Sequence, residues 1–228
     1  MSEEMIVEKP WATLIMTKDT VFQCEDYEER IFTEIEKLGE LNTVVDVGAH
    51  QGLFTTFLAE RSKMVYAFEP HYENYRHLLI NTAKYNNVAP IRLGLADIWK
   101  TDRFASWDTT IDGTTGRHGS VYYDDNVLKI DMEFAPLDDV LHEDITDIDL
   151  IKIDVDGWEY LVVKGAKRII ADMKTPTIIE THHDGVTQSI VEWCNSHGLH
   201  FKMIDSGIHS LNHTKPFIFI NWRGWDEG

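Results

Sequence analysis

Apolar positions along this chain fall into two alternating kinds of run. Short unbroken runs are TVVDV (43–47), MVYAFE (64–69), IRLGLA (91–96), DLIKIDV (149–155) and TPTIIET (175–181). They predict strands covered on both faces. Between them, apolar residues recur three and four apart. GLFTTFLAER (52–61) sets Leu53, Phe54, Phe57 and Leu58 on one helical face. NYRHLLINTAKYN (74–86), PLDDVL (136–141), EYLVVKGAKRII (159–170, broken at Gly165) and residues 187–197 predict further helices, the last with Ile190, Val191 and Cys194 inward. Strands alternating with helices imply a parallel sheet with helices on both faces. Right-handed crossovers bring the loops that follow the strands to one edge, where such sheets bind ligands. HFKMIDS (200–206) and PFIFINW (216–222) predict a closing hairpin with an antiparallel strand.

Two stretches depart from this rhythm. WATLIMTKDTVFQ (11–23) predicts a β-rich preamble, and Tyr27, Ile31, Ile35 and Leu38 before Gly39 predict a helix over 25–38. Residues 1–40 therefore form an N-terminal extension on a core of 41–228. Residues 101–135 carry the turn signal IDGTTG (111–116) and the β-prone pieces SVYY (120–123) and LKIDMEF (128–134), which predicts an antiparallel β insertion. No repeat or linker divides the chain, so 1–228 is expected to be one domain. The fold class is α/β: a Rossmann-like, doubly wound, mostly parallel sheet of seven strands with a C-terminal antiparallel hairpin.

Charge narrows the partners. Lys and Arg number 21 against 39 Asp and Glu, a net charge of −18, and no basic run occurs. That argues against a surface meant for phosphate backbones, a local basic groove being the other reading, and a neutral or cationic small molecule is expected rather than nucleic acid. Cys24 and Cys194 stand apart with no metal-binding spacing. MSEEMIVEKP is acidic and has no long apolar stretch, and no window approaches a membrane span, so a cytoplasmic, membrane-free protein is expected.

The loop Asp46-Val47-Gly48-Ala49-His50-Gln51-Gly52 joins the first core strand to its helix. Glycine there permits close backbone approach, and a helix N-terminus offers free N–H groups. The dinucleotide fingerprint GxGxxG is absent, with His50 at its middle glycine. Asp46 is a poor neighbour for pyrophosphate and matches a cation such as an α-amino group; a plain βα turn is the other reading. Glu69, ending the second strand, and Pro70 follow at the distance where an acid takes both ribose hydroxyls. Asp97, closing IRLGLA, is either an adenine-side ligand or a helix cap. A ribose acid, an adenine-side acid and a carboxylate near an amino group together describe S-adenosylmethionine as cofactor.

The blocks VVDVGAHQGLFTTFLAE, VYAFEPHYENYRHLLIN, LDDVL and IDLIKIDVDGWEYLVVKGA, in this order over about 43–181, resemble the FkbM-type S-adenosylmethionine-dependent methyltransferases. Trp158 stands where many members carry histidine. The resemblance implies a class I methyltransferase sheet, a cofactor site on Asp46, Gly48, Ala49, His50, Gly52, Glu69, Pro70 and Asp97, and methyl transfer to hydroxyls of sugars or natural products.

Asp154, Asp156 and Glu159 surround Gly157 at the end of DLIKIDV, and Glu180-Thr181-His182-His183 ends the next strand. An alcohol acceptor loses its proton during attack, so a base or a metal is wanted near the methyl group. Asp154, Asp156 and His182 are the catalytic candidates. Asp154, Glu180 and His182 are the candidate ligands of a divalent metal. A helix-initiating turn at Asp156-Gly157, a dipole-favoured acid at Glu159 and a chance histidine pair are the plainer readings. The tryptophans, with Tyr122 and Tyr123, read as a sugar-stacking surface or as packing. His209, Asn212 and His213 read as acceptor contacts or as solvated loop residues. The rivals are a non-catalytic S-adenosylmethionine-binding module, a nitrogen methyltransferase, a nucleic-acid amino methyltransferase and a nicotinamide oxidoreductase. The nucleic-acid enzymes use a [DN]PP[YFW] loop, which here reads DVDG.

Overall fold

The computed structural model of the chain describes residues 3–18, 20–21, 29–106, 128–141, 145–210 and 213–222. It opens with an antiparallel hairpin, β1 (Glu4–Lys9) and β2 (Ala12–Thr17), followed by α1 (Glu29–Glu36). Alternation then begins with β3 (Leu41–Val47), α2 (Leu53–Ala59), β4 (Ser62–Phe68), α3 (Tyr72–Thr82) and β5 (Val88–Ile91). Next come β6 (Gly94–Leu95), β7 (Lys100–Ser106), β8 (Leu128–Ala135) and the short α4 (Leu137–Val140). The chain returns through β9 (Ile148–Ile153), α5 (Glu159–Gly165) with a π-helical turn at Arg168–Asp172, β10 (Thr177–Glu180) and α6 (Asp184–Ser196). It closes with β11 (Phe201–Ser210) and β12 (His213–Ile220).

The main sheet has seven strands in the order β11-β12-β10-β9-β3-β4-β5. Strands β5, β4, β3, β9 and β10 run parallel, and β12 enters antiparallel between β10 and β11. This is the expected α/β sheet with its terminal hairpin. Its two faces follow from the strand period of two. Val45, Ile151, Ile179 and Ile218 pack on one face against the α5–α6 side, with Val163, Ile170, Ile190 and Trp193. Their neighbours Val44, Leu150, Ile178 and Phe219 pack on the other, against Ile31 and Ile35 of α1 and Phe57 and Leu58 of α2. Every residue of α2 is buried, which explains its lack of a polar face.

Two expectations are corrected and one strand is added. IRLGLA is not one strand: β5 ends at Ile91, and Gly94–Leu95 joins β7 and β8 in a separate three-stranded sheet. The Leu93 N–H turns back onto the Ile91 carbonyl (3.0 Å), and a side chain at Gly94 would meet Phe134 at 2.2 Å, so the chain swings under β8. The strand β1 went unanticipated, because none of its residues is buried and no apolar alternation marks it. Lastly, β9 stops at Ile153: the Asp154 N–H still reaches the Val47 carbonyl (3.0 Å), but Asp154 is the first residue of the loop. The antiparallel insertion is present as β7 and β8, whereas IDGTTG, SVYY, Trp107 and Cys24 lie outside the described residues. Among the described residues, no helix is long and apolar enough to cross a membrane.

Candidate functional site

The parallel strands deliver their loops to one edge, and the candidate residues divide there into two groups. The first follows β3 and β4. Gly48 and Ala49 both donate N–H bonds to the Phe68 carbonyl (3.0 Å each), which folds the loop over the end of β4. Gly48 has φ +79, and a Cβ there would lie 1.9 Å from the Asp154 carbonyl oxygen. The close approach that demands glycine is therefore one of chain on chain. Gly52, at φ +93, sits against Leu78, and His50 also has a positive φ of 51.

Asp46 is fully buried, with its Oδ2 accepting the Thr55 hydroxyl at 2.6 Å. A cation of the chain itself also stands there: Lys152 Nζ is 3.5 Å from Asp46 Oδ1 and 3.5 Å from Asp154 Oδ2. Lys152, which the sequence reading did not single out, is buried and also lies over the Phe54 ring at 4.7 Å. A lysine inside the apolar run DLIKIDV was the available signal, since a buried ammonium requires a buried acid.

Glu69 lies just past the end of β4. Its Oε2 accepts the His50 N–H and its Oε1 the His71 N–H, each at 2.9 Å, so one carboxylate joins the glycine loop to the start of α3. Burial pushes its carboxyl up to about 7, against the lowering effect of those N–H groups, Asn74 and Lys152. Pro70 then carries the chain out of the sheet. Asp97 is placed after β6, where its Oδ2 accepts Lys164 Nζ at 2.6 Å, and that bond holds its carboxyl below the usual range.

The second group follows β9 and β10. His182 Nδ1 is 2.6 Å from Glu159 Oε1, and its Nε2 faces Asp156 (3.2 Å), Asp154 (3.5 Å) and Glu180 (3.6 Å). Burial disfavours the imidazolium, but Glu159, Asp154 and Asp156 outweigh it and push His182 up to about 9. Asp156 (φ 44) and Gly157 (φ +98) are consecutive left-handed residues, and the Gly157 N–H bonds Glu159 Oε1 at 2.9 Å. Strain of this kind is kept where the surroundings over-determine it. Asp154, Glu180 and His182 each present one ligand atom within 4.8 Å of the others. Two carboxylates and an imidazole form a donor set that fits a divalent cation. Glu159 holds the Nδ1 side, leaving Nε2 toward the carboxylates, which is the outer-shell arrangement of metal-binding histidines.

The structure thus brings Asp154, Asp156, Glu180 and His182 together and keeps Asp97 apart. His183 is exposed beside Gly157. Asn212 and the side chains of His209 and His213 lie outside the described residues. The tryptophans described here mostly pack: Trp158 stacks on Phe134 (5.0 Å) beneath Lys100, and Trp11 meets Phe32 and Phe57 edge-on. Trp99 is exposed, with its indole N–H bonded to Asp139.

No curated protein matches the chain. Among solved structures it is similar to methyltransferase FkbM from Methylobacillus flagellatus KT, at 17% identity over 80% of this chain with a TM-score of 0.57. It spans 43% of that protein's length. It is also similar to TYW2 of M. jannaschii in complex with AdoMet (15% identity, 96% of this chain and 86% of that one, TM-score 0.54). Trm5b from Pyrococcus abyssi matches at 14% identity, over 96% of this chain and 56% of that one, with a TM-score of 0.54. Likeness at these identities fixes the fold. The family comes from the methyltransferase FkbM domain, whose model matches residues 46–204, well over half of the chain and every loop described above. This chain belongs to the FkbM methyltransferase family.

Proposed function

We propose that the protein transfers a methyl group from S-adenosylmethionine to a hydroxyl of a sugar or glycosylated small molecule, with a divalent cation held by Asp154, Glu180 and His182. One observation carries the reading: the carboxylate–imidazole cluster stands directly beside the glycine loop, whose Gly48 packs against the Asp154 carbonyl. Cofactor and acceptor sites would then share one wall.

In this reading Glu69 takes the ribose hydroxyls, Asp97 lies toward the adenine, and the backbone of 48–52 lines the remainder. Pro70 fixes the chain beyond Glu69, while Asp46 steadies the loop from beneath through Thr55 and Lys152. Transfer breaks the carbon–sulfur bond, forms a carbon–oxygen bond and releases the hydroxyl proton. When bound, a cation held by Asp154, Glu180 and His182 would supply Lewis acidity to lower the hydroxyl pKa. Asp156, 3.2 Å from His182 at the same loop end, would receive the proton. With its Nε2 on the cation and its Nδ1 held by Glu159, His182 would have to be neutral and would serve as a ligand, leaving the base role to a carboxylate. The net charge of −18 favours an uncharged acceptor over a polyanion.

The test is a methyl-transfer assay with labelled S-adenosylmethionine across sugars, nucleotide-sugars and glycolipid headgroups, with manganese, magnesium or chelator. Transfer to a sugar hydroxyl that chelator abolishes is the expected result. Transfer to an amine, or full activity in chelator, removes the corresponding part of the reading.

A further inference from the structure

The N-terminal hairpin precedes the residues that the FkbM domain matches, yet it is bolted to the glycine loop. Gln51 is the bolt. Its side chain is buried, with Oε1 accepting the Thr17 N–H (2.9 Å) and the Thr20 hydroxyl (3.1 Å). Its Nε2 donates to Thr17 Oγ1 (3.0 Å) and to Asn74 Oδ1 (3.3 Å). Asn81, about two turns beyond Asn74 on α3, repeats the link, bonding Ile15 N–H (2.7 Å), Ile15 carbonyl (2.9 Å) and the Gln51 carbonyl (2.7 Å).

These bonds fix the direction of the Gln51 amide. Turned over, its NH2 group would oppose the Thr17 N–H, donor against donor, in a buried place. With Nε2 committed to Asn74 Oδ1, the amide of Asn74 is set as well. Its NH2 group is left as the donor for Glu69, whose carboxylate Asn74 bonds. A continuous chain of hydrogen bonds runs from Thr17 in β2 through Gln51 and Asn74 to Glu69.

We infer that Gln51 is a positioning residue for Glu69, acting through Asn74, and that the N-terminal hairpin forms part of the nucleoside site by holding Gln51. This rests on the reading above that Glu69 takes the ribose. The hairpin would thus tune cofactor affinity from outside the matched family domain.

The test is calorimetric titration of the full chain with S-adenosylhomocysteine, for wild type, Gln51→Leu, Asn74→Ala and the double variant, with Ile170→Val as a destabilised control on the opposite face of the sheet. Gln51→Leu and Asn74→Ala are each expected to weaken binding about tenfold at pH 7, the loss of one useful hydrogen bond. The double variant is expected to be no weaker than the poorer single variant, because both cut one relay. The groups facing Glu69 are Lys152 and the N–H-donating His50 and His71. All remain in these variants, so the pH midpoint of binding should rise in the two relay variants and stay put in Ile170→Val. Losses that simply multiply in the double variant, or an unmoved midpoint, overturn the inference. Asn74→Ala, half-buried on α3, keeps the test alive if Gln51→Leu does not fold. Wild-type protein that does not bind S-adenosylhomocysteine overturns the cofactor reading itself, and the inference with it.

Discussion

The two ends of the carboxyl edge answer one physical problem differently. At the β3–β4 end, the buried Glu69 is satisfied chiefly by backbone: it accepts two main-chain N–H groups, and the loop closes on the Phe68 carbonyl. At the β9–β10 end, Asp154, Asp156, Glu159 and Glu180 crowd around a single imidazole, and side chains compensate side chains. The first arrangement is built largely on main-chain hydrogen bonds. The second is electrostatically poised, and its compensation changes with whatever cation is present. In the function proposed above, the first end would hold the cofactor and the second would meet the acceptor. Lys152 is shared by both ends, since its ammonium faces Asp46 and Asp154 at equal distance.

The harshest way to break the contrast is Gly48→Ala. A methyl 1.9 Å from the Asp154 carbonyl, at φ +79, has to move either the glycine loop or the start of the acidic loop. A loss on the order of 5 kcal/mol is expected from clash and strain together. Denaturant unfolding measures it, and a loss under about 1 kcal/mol would show that the two loops separate freely. Next comes Lys152→Met, which strands Asp46 in the interior at a cost of about 4 kcal/mol. Adding Asp46→Asn removes the stranded charge and should recover most of that loss; an additive double variant would sink the pairing.

Two smaller effects separate the ends. Glu159→Gln weakens the hold on His182 Nδ1 and is expected to lower manganese affinity about 10- to 100-fold, read by electron paramagnetic resonance. Cofactor-product affinity should not follow. At the other end, Glu69 is raised to about 7; if it takes the ribose hydroxyls as an ionised acid, as proposed, S-adenosylhomocysteine affinity should fall as pH drops below that value, by about tenfold per unit. The same shift acts oppositely on the free protein. A folded-state pKa above the unfolded 4.5 adds stability that is complete below 4.5 and is lost as pH rises through about 7. Glu69→Gln should flatten both profiles. Manganese binding that tracked the Glu69 profile would mean that the two ends are not separate.

What the sequence made legible follows the same division. The glycine loop and Glu69 are readable because local geometry sets them: a strand end, a tight turn, an acid about twenty residues on. Asp154, Glu180 and His182 are readable as a group because parallel strands bring successive loops to one edge. The partners Lys152 and Gln51 were not, since β3–β9 pairing and the docking of the hairpin couple residues far apart in sequence. IRLGLA misled for a related reason. Its apolar run is real, but Gly94 and Leu95 are buried by β8, which lies about forty residues further on.

Asp97 is the smallest and sharpest probe, because its expected place and its observed partner belong to opposite ends. Expected beside the adenine, it is bonded to Lys164 on α5, the helix that Glu159 begins. Asp97 and Lys164 keep 27% and 35% side-chain exposure, so the pair is screened and worth under about 1 kcal/mol. Asp97→Asn should therefore shift unfolding only slightly, while an adenine contact would show as a several-fold loss of S-adenosylhomocysteine affinity. Lys164→Met separates the causes. If it reproduces the affinity loss with Asp97 intact, the ion pair is what holds the loop for adenine. If Lys164→Met binds normally and Asp97→Asn does not, the carboxylate reaches the cofactor directly. If neither binds more weakly, Asp97 belongs to the β6–α5 junction alone, and the adenine end is held by residues other than the acid that closes IRLGLA.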